Sequence, residues 1–172
     1  MVGTFYAQAT LTPANSAYNV NELIHQLKLS KAKAIISEKA ALHTAIDAAR
    51  QVGIPQENIL VVEESTPEFK CWKDILVDDK EIELEPNDPG SVALLCFSSG
   101  TTGLPKAVML SHRNIVSAVL QFNDIDGRYL SYRDVFCGVL PFYHIGYVVC
   151  SVFDSEILVG WALHCCFQYL LA

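Results

Sequence analysis

The fold is decided by the stretch Ser98-Ser99-Gly100-Thr101-Thr102-Gly103-Leu104-Pro105-Lys106. Hydroxyl side chains and glycines fill its first six positions, and a lysine closes it. Glycines permit backbone angles that are costly for other residues, and consecutive N–H groups can form a concave site for an anion. The hydroxyls, the N–H groups and the single cation suit a polyphosphate. Composition alone is also compatible with an ordinary Ser/Thr/Gly turn between two strands.

Apolar runs flank this loop at residues 92–97 and 107–110. The run after the lysine is apolar and partly β-branched, which predicts a strand. A Walker-type phosphate loop needs Gly-x-x-x-x-Gly-Lys-Ser/Thr leading into a helix, so its spacing and its context are both missing here. The chain also lacks the Gly-x-Gly-x-x-Gly fingerprint of dinucleotide-binding proteins.

The continuous stretch from Ser98 to Lys106 resembles the signature phosphate loop of the adenylate-forming superfamily. That superfamily includes acyl-CoA synthetases, 4-coumarate–CoA ligases, beetle luciferases and the adenylation domains of peptide synthetases. Ala107 departs from the family pattern, which usually has Gly at that position. The segment Leu140-Pro141-Phe142-Tyr143-His144-Ile145 resembles the second family signature, Leu-Pro-x-x-His.

An upstream pattern agrees with the same family. Asn15-Ser16-Ala17-Tyr18 is followed by Glu22-Leu23 and Gln26-Leu27, with Ser16 where the family has a proline. The resemblance covers about residues 5 to 150 and is nearest to the coumarate-ligase and fatty-acyl-ligase branch. It implies an α/β fold equivalent to part of the large N-terminal domain of an adenylate-forming ligase.

The resemblance also implies a function, an ATP-dependent acyl-CoA ligase. Such an enzyme joins a carboxylic acid to the α-phosphate of ATP and then transfers the acyl group to a thiol, usually that of coenzyme A. ATP, Mg²⁺ and coenzyme A serve the full-length family, and this chain would hold at most part of the ATP phosphate site. By resemblance the phosphates would be bound by Ser98, Ser99, Gly100, Thr101, Thr102, Gly103 and Lys106.

His144 is the catalytic candidate, because the resemblance places it beside the acyl and adenylate pocket. The alternative is a core or surface histidine, as expected for His25, His43, His112 and His164. The family often continues with Ile-Tyr-Gly, whereas this chain has Ile145-Gly146-Tyr147, so its tyrosine stands one position later than the family's. No metal ligands are assigned to this chain.

Several later family segments have no counterpart in the sequence. These are the segments for adenine, magnesium and ribose, and the small C-terminal domain with its adenylation lysine. We therefore expect a partial AMP-binding domain over residues 1–150 and a divergent apolar tail over residues 151–172. A non-catalytic nucleotide-binding fragment, or an apolar module that binds a partner or a membrane, remains the alternative.

The tail is very apolar from residue 157 onward but falls short of the ~20 residues that a membrane span needs. We expect a buried helix there, and self-association through whatever apolar surface is left exposed.

Strand and helix patterns alternate along the first half, which predicts a mostly parallel sheet with covering helices. Asn19 and Glu22 form a plausible capping pair for a helix that presents Leu23, Ile24 and Leu27. Short strands are predicted at residues 34–36, 59–62 and 135–140, and further helices at residues 40–52 and 114–122. Gly53 and Pro55 provide the stop signal for the second helix.

Charge and cysteine content exclude some classes of function. The formal net charge of −7, without a basic stripe, is unlike that of a nucleic-acid-binding protein. The six cysteines include no Cys-x-x-Cys pair, so a zinc site is not expected.

The N-terminus has no basic region followed by an apolar stretch, which is the pattern of a secretory signal peptide. We expect an intracellular location, in the cytoplasm or the peroxisome.

Overall fold

The computed structural model describes residues 2–76, 86, 88–98, 104–126, 143–145 and 168–171. The α-helices are α1 (Val2–Tyr6), α2 (Val20–Ser30), α3 (Leu42–Val52) and α4 (His112–Asp126). The strands are β1 (Leu11–Ala14), β2 (Ala34–Ser37), β3 (Ile59–Val61), β4 (Val92–Ser98), β5 (Lys106–Ser111) and β6 (Gln168–Leu171). Short 3₁₀ turns occupy Lys39–Ala41, Gln56–Asn58 and Trp72–Ile75.

These strands form one sheet in the order β3-β2-β6-β1-β4-β5. β1 pairs with β4 and β2 pairs with β3 in parallel, while β6 is antiparallel to both β1 and β2. β1, β2, β3 and β4 therefore all run in the same direction. β5 pairs with β4 in the antiparallel sense. The predicted α/β class is confirmed, and four of the six strands share one direction, while β5 and β6 run antiparallel to their neighbours and make the sheet mixed.

One of the two antiparallel strands comes from the tail. Residues 168–171 form β6, a strand that lies between β1 and β2, rather than part of a buried helix. β6 thus separates two strands that run in the same direction and is antiparallel to both. The rest of the predicted tail helix, residues 157–167, and the predicted strand at 135–140 lie outside the described residues.

Helix α2 begins and ends as its sequence predicts. The Asn19 side chain accepts a hydrogen bond from the Glu22 N–H at 3.1 Å, and the Glu22 carboxylate accepts one from the Asn19 N–H at 2.8 Å. This capping box satisfies N–H groups that the first helical turn leaves without partners. The helix ends at Lys31, which adopts the left-handed conformation with φ 54° and donates its N–H to the Leu27 carbonyl.

Two hydrophobic clusters form the core. The larger one packs α2 and α3 against β2 and β3, and its fully buried members include Leu23, Leu27, Ile35 and Val61. The smaller one joins Leu11, Ala93, Leu94 and Ile115, with Ile145 packed against it. Burial of apolar surface in these clusters stabilises the domain at about 25 cal/mol per Å². Within the described part of the chain, no helix is long and apolar enough to cross a membrane.

Candidate nucleotide-phosphate site

The candidate phosphate loop joins two neighbouring antiparallel strands. β4 ends at Ser98 and β5 begins at Lys106, and these two residues lie directly opposite each other in the register. Directly opposed residues in an antiparallel pair project from the same face, with Cβ atoms about 4.5–5.5 Å apart. The strands predicted on both sides of the loop are confirmed. Ser99, Gly100, Thr101, Thr102 and Gly103 lie outside the described residues.

Ser98 and Lys106 place a hydroxyl and an ammonium at the mouth of the loop. Both residues are exposed. Among the described residues, neither side chain takes part in a hydrogen bond or an ion pair. A cation without a neighbouring carboxylate attracts an anion more strongly than a cation that is already paired. The mouth of the loop therefore offers one donor and one positive charge to a phosphate.

The loop lies at the edge of the sheet where parallel strands usually present their ligands. β4 ends at Ser98 and β1 ends at Ala14, and these two parallel strands point in the same direction. Open α/β sheets bind ligands beyond the carboxyl ends of their strands. The segment after β1 runs through Tyr18 into α2, so α2 begins near the carboxyl ends of the parallel strands, where Ser98 also lies.

Helix α2 contacts the far end of the loop. The Nε2 atom of His25 lies 3.0 Å from the Pro105 carbonyl oxygen, although the two residues are 80 positions apart in sequence. A cleft of about 180 Å³ separates the helix from the hairpin. Its lining includes Glu22, His25 and Gln26 from α2, and Phe97, Leu104 and Pro105 from the hairpin.

Gln26 fixes the same helix to β1. Its side chain is 1% exposed, and its amide nitrogen donates to the Thr12 hydroxyl and to the Pro13 carbonyl, both at 2.9 Å. A carbonyl can only accept, so the amide nitrogen must face Pro13. The amide oxygen is then left buried without a hydrogen-bond partner among the described residues. Residues 25 and 26 thus join α2 to the hairpin and to β1, respectively.

His144 is placed through its two neighbours. Ile145 packs against the cluster of Leu11, Ala93, Leu94 and Ile115, whereas His144 itself is exposed. Burial raises the pKa of the Tyr18 phenol, and the charges of Glu22 and Tyr143 raise it further. Of the second signature, Ile145 thus lies against residues of β1, β4 and α4, and Tyr143 is near enough to Tyr18 to affect its pKa. The catalytic role of His144, like the phosphate-binding role of the loop residues, stays a prediction.

Sequence reasoning missed the contribution of His25, which was expected to be an ordinary core or surface histidine. A bond across 80 positions depends on the tertiary fold and leaves no local pattern. Gln26 did leave a signal, since it is a polar residue between the apolar Leu23, Ile24 and Leu27 on the buried side of α2. Such a residue needs an internal partner when it is buried.

Known proteins resemble this chain over most of its length. A family profile described as "AMP-binding enzyme" matches residues 1–160. The chain belongs to this family. The match confirms the resemblance found from the two signatures, and it extends slightly further than the expected residue 150.

The similar curated proteins include plant CoA ligases. A 4-coumarate–CoA ligase 2 from Nicotiana tabacum is 34% identical over 171 residues, covering 94% of this chain and 30% of that protein. A 4-coumarate–CoA ligase 3 from Arabidopsis thaliana is 38% identical over 167 residues, covering 92% of this chain and 28% of that protein. The chain thus spans about 30% of the length of the curated relatives it matches.

Solved structures show the same fold. A red-emitting luciferase from Phrixothrix hirtus superposes with a TM-score of 0.75 at 23% identity, over 88% of this chain and 39% of that one. A long-chain-fatty-acid–CoA ligase from Archaeoglobus fulgidus superposes with a TM-score of 0.69 at 26% identity, over 87% of this chain and 28% of that one. The expected equivalence to part of the N-terminal domain of an adenylate-forming enzyme is confirmed.

In the described ranges, no group of three or more His, Cys, Asp and Glu side chains could hold a metal ion. The predicted self-association depends on a tail of which only residues 168–171 are described, so it stays a prediction.

Proposed function

We propose that this chain supplies part of the ATP phosphate site of an ATP-dependent acyl-CoA ligase. The observation that carries the proposal is the opposition of Ser98 and Lys106 at the mouth of the loop. Membership of the AMP-binding family and similarity to proteins named 4-coumarate–CoA ligase support it. A carboxylic acid and coenzyme A would be the other substrates.

The loop would act in the first half of the reaction. A carboxylate oxygen forms a bond to the α-phosphorus of ATP, and the bond to the bridging oxygen breaks as pyrophosphate leaves. Negative charge then builds up on the leaving group. Donors and cations that already point at this charge lower the barrier without further reorganisation. Lys106 would hold the outer phosphates, and the Ser98 hydroxyl would donate a hydrogen bond to a phosphate oxygen.

His144 would border the pocket for the acyl group and the adenylate. Its exposed ring follows Tyr143 and precedes the packed Ile145, so the chain on both sides limits where the ring can lie. Mg²⁺, when bound, would neutralise charge on the phosphates. We assign it no ligands in this chain, because the described residues contain no suitable cluster.

A second candidate is nucleotide binding without turnover. The fraction of the relatives' length that this chain spans, about 30%, favours it. Groups that catalyse one step act as a unit, and the loss of some is not compensated by the others. ATP–pyrophosphate exchange with aromatic, medium-chain and long-chain acids separates the two candidates, with a full-length ligase as positive control. We expect no exchange above background from this chain alone.

Direct binding of ATP tests the loop assignment. Lys106→Ala should weaken binding about tenfold or more, since a hydrogen bond to a charged group contributes about 1.5–3 kcal/mol. Lys33→Ala is the matched control. Lys33 is exposed and immediately precedes β2, so it lies at the amino-terminal end of the parallel strands, away from the carboxyl end of β4 where Ser98 lies. Equal affinities for the Lys106→Ala and Lys33→Ala proteins would refute the assignment.

A further inference from the structure

We propose that His25 is a positioning residue that holds the exit of the phosphate loop and thereby sets the orientation of the peptide leading into Lys106. The inference rests on the proposed function, since it assumes that this loop binds phosphate. His25 would touch neither nucleotide nor acid, and would act only through the loop.

The bond itself has a defined direction. The Pro105 oxygen can only accept a hydrogen bond, so Nε2 of His25 must carry the proton, at 3.0 Å from that oxygen. A trans peptide is planar, with its carbonyl and its N–H pointing in opposite directions. Holding the Pro105 carbonyl toward α2 therefore turns the Lys106 N–H away from the helix. The same peptide leads directly into the residue that faces Ser98.

The helix that carries His25 is well anchored. Its N-terminus is closed by the Asn19–Glu22 capping box, and its side toward β1 is bound through Gln26. Leu23 and Leu27 are almost completely buried in the larger core cluster. A donor on such a helix can hold the Pro105 carbonyl in one orientation, because the helix itself is bound to β1 and to the core.

The expected effect follows from populations. Without the bond from His25, only a fraction of the molecules would hold the peptide before Lys106 in the orientation that binds phosphate. The apparent dissociation constant for phosphate ligands rises as that fraction falls. Loss of one neutral hydrogen bond of ordinary strength corresponds to about a fivefold change in such an equilibrium. His25→Ala should therefore weaken the binding of ATP, and of inorganic tripolyphosphate, about fivefold. The equal effect on both ligands would show that the phosphates are affected rather than the nucleoside.

Two further variants separate the hydrogen bond from simple packing. His25→Gln keeps an N–H donor of similar reach and should restore most of the affinity, whereas His25→Phe keeps a ring without a donor and should bind as weakly as His25→Ala. His43→Ala is the control, since His43 lies on α3, has a side chain that is 90% exposed and lies 3.5 Å from the Asp47 carboxylate. Affinity restored equally by phenylalanine, or unchanged in His25→Ala, would overturn the proposal.

A second measurement does not depend on nucleotide binding. Nitrogen-15 NMR of the purified chain at a pH where His25 is neutral should show the proton on Nε2. A proton on Nδ1 would overturn the proposal even if ATP binds. An Nε2 proton of His25 that exchanges slowly with solvent, in a chain that binds no ATP, would support the restraint and count only against the proposed function.

Discussion

Replacing Gln26 by methionine should be among the most destabilising changes that can be made without altering the volume of the core. The side chain is 1% exposed, and both of its amide hydrogens are donated inside the protein. Methionine would fill a similar space but would leave the buried Pro13 carbonyl and the Thr12 hydroxyl without this donor. Each buried partner left unsatisfied costs about 1–3 kcal/mol, so the two together cost about 2–6 kcal/mol.

One term acts in the opposite direction. The Gln26 amide oxygen is itself buried without a partner among the described residues, and methionine removes that penalty. Removal of the orphaned oxygen returns about 1–3 kcal/mol, so the net loss in the free energy of unfolding is about 1–3 kcal/mol. With a urea m-value of about 2 kcal/mol/M, the midpoint should fall by about 1 M.

Thr12→Val tests one of the two bonds alone. Thr12 is completely buried, and valine keeps its shape while removing the acceptor, so we expect a loss of about 1–2 kcal/mol. Residues in direct contact do not behave additively, so the double variant should be about 1 kcal/mol more stable than the sum predicts. Gln51→Met, at an exposed position of α3, is the control and should shift stability by less than about 0.5 kcal/mol. A Gln26→Met midpoint equal to that control, or strict additivity with Thr12→Val, would refute the reasoning.

Backbone conformation at Gly53, helix capping at Asn19 and burial at Cys96 can each be tested separately. Gly53→Ala should lower the free energy of unfolding by about 1 kcal/mol, measured by thermal unfolding, because Gly53 ends α3 with a φ of 81°. An added Cβ would meet no other atom within 4 Å, so the cost comes from the backbone alone. A loss well above about 1 kcal/mol would contradict this explanation. Asn19→Ala should cost about 1 kcal/mol through the capping box, whereas Asn21→Ala, at an exposed position of the same helix, should cost less, as urea unfolding would show. Burial raises the pKa of the Cys96 thiol to about 11, so little of it is in the reactive thiolate form at pH 8. At that pH its alkylation should be about a hundredfold slower in the folded chain than in the unfolded chain. The rate in the folded chain should increase as the pH rises toward 11. Mass-spectrometric mapping measures that rate, and equal labelling in both states would contradict it.

Local signals in the sequence predicted much of the first half of the fold. The capping box of Asn19 and Glu22, the stop at Gly53 and the strands on both sides of the phosphate loop depend on residues close together in the chain. Their physical causes are hydrogen bonds and backbone angles within a few positions, so short windows of sequence contain them.

The strands that were missed depend on distant partners. β1 contains Pro13, and a proline within a short run argues against a central strand. In the structure the Pro13 carbonyl is bound by the Gln26 side chain. Residues 168–171 were assigned to a helix because an apolar run does not reveal its period, and only pairing with β1 and β2 makes them a strand.

Only part of the candidate site could be predicted from the sequence, because some of its contacts join residues that are far apart in the chain. Ser98 and Lys106 belong to one motif, and the sequence alone brought them together. The bond from His25 depends on how α2 packs near the hairpin, and no motif of this chain records it.

The position of β6 has a consequence for the order in which the chain can fold. The larger cluster, built from residues between Ala14 and Trp72, can assemble as soon as that part of the chain has left the ribosome. β1 and β2 must then wait with open edges, since their shared neighbour is synthesised long after them. Closing such a long loop slows folding and leaves strand edges available for intermolecular pairing in the meantime. Nascent chains stalled before residue 92, which lack both strand partners of β1, should therefore protect the segment around α2 and α3 from proteolysis better than they protect β1.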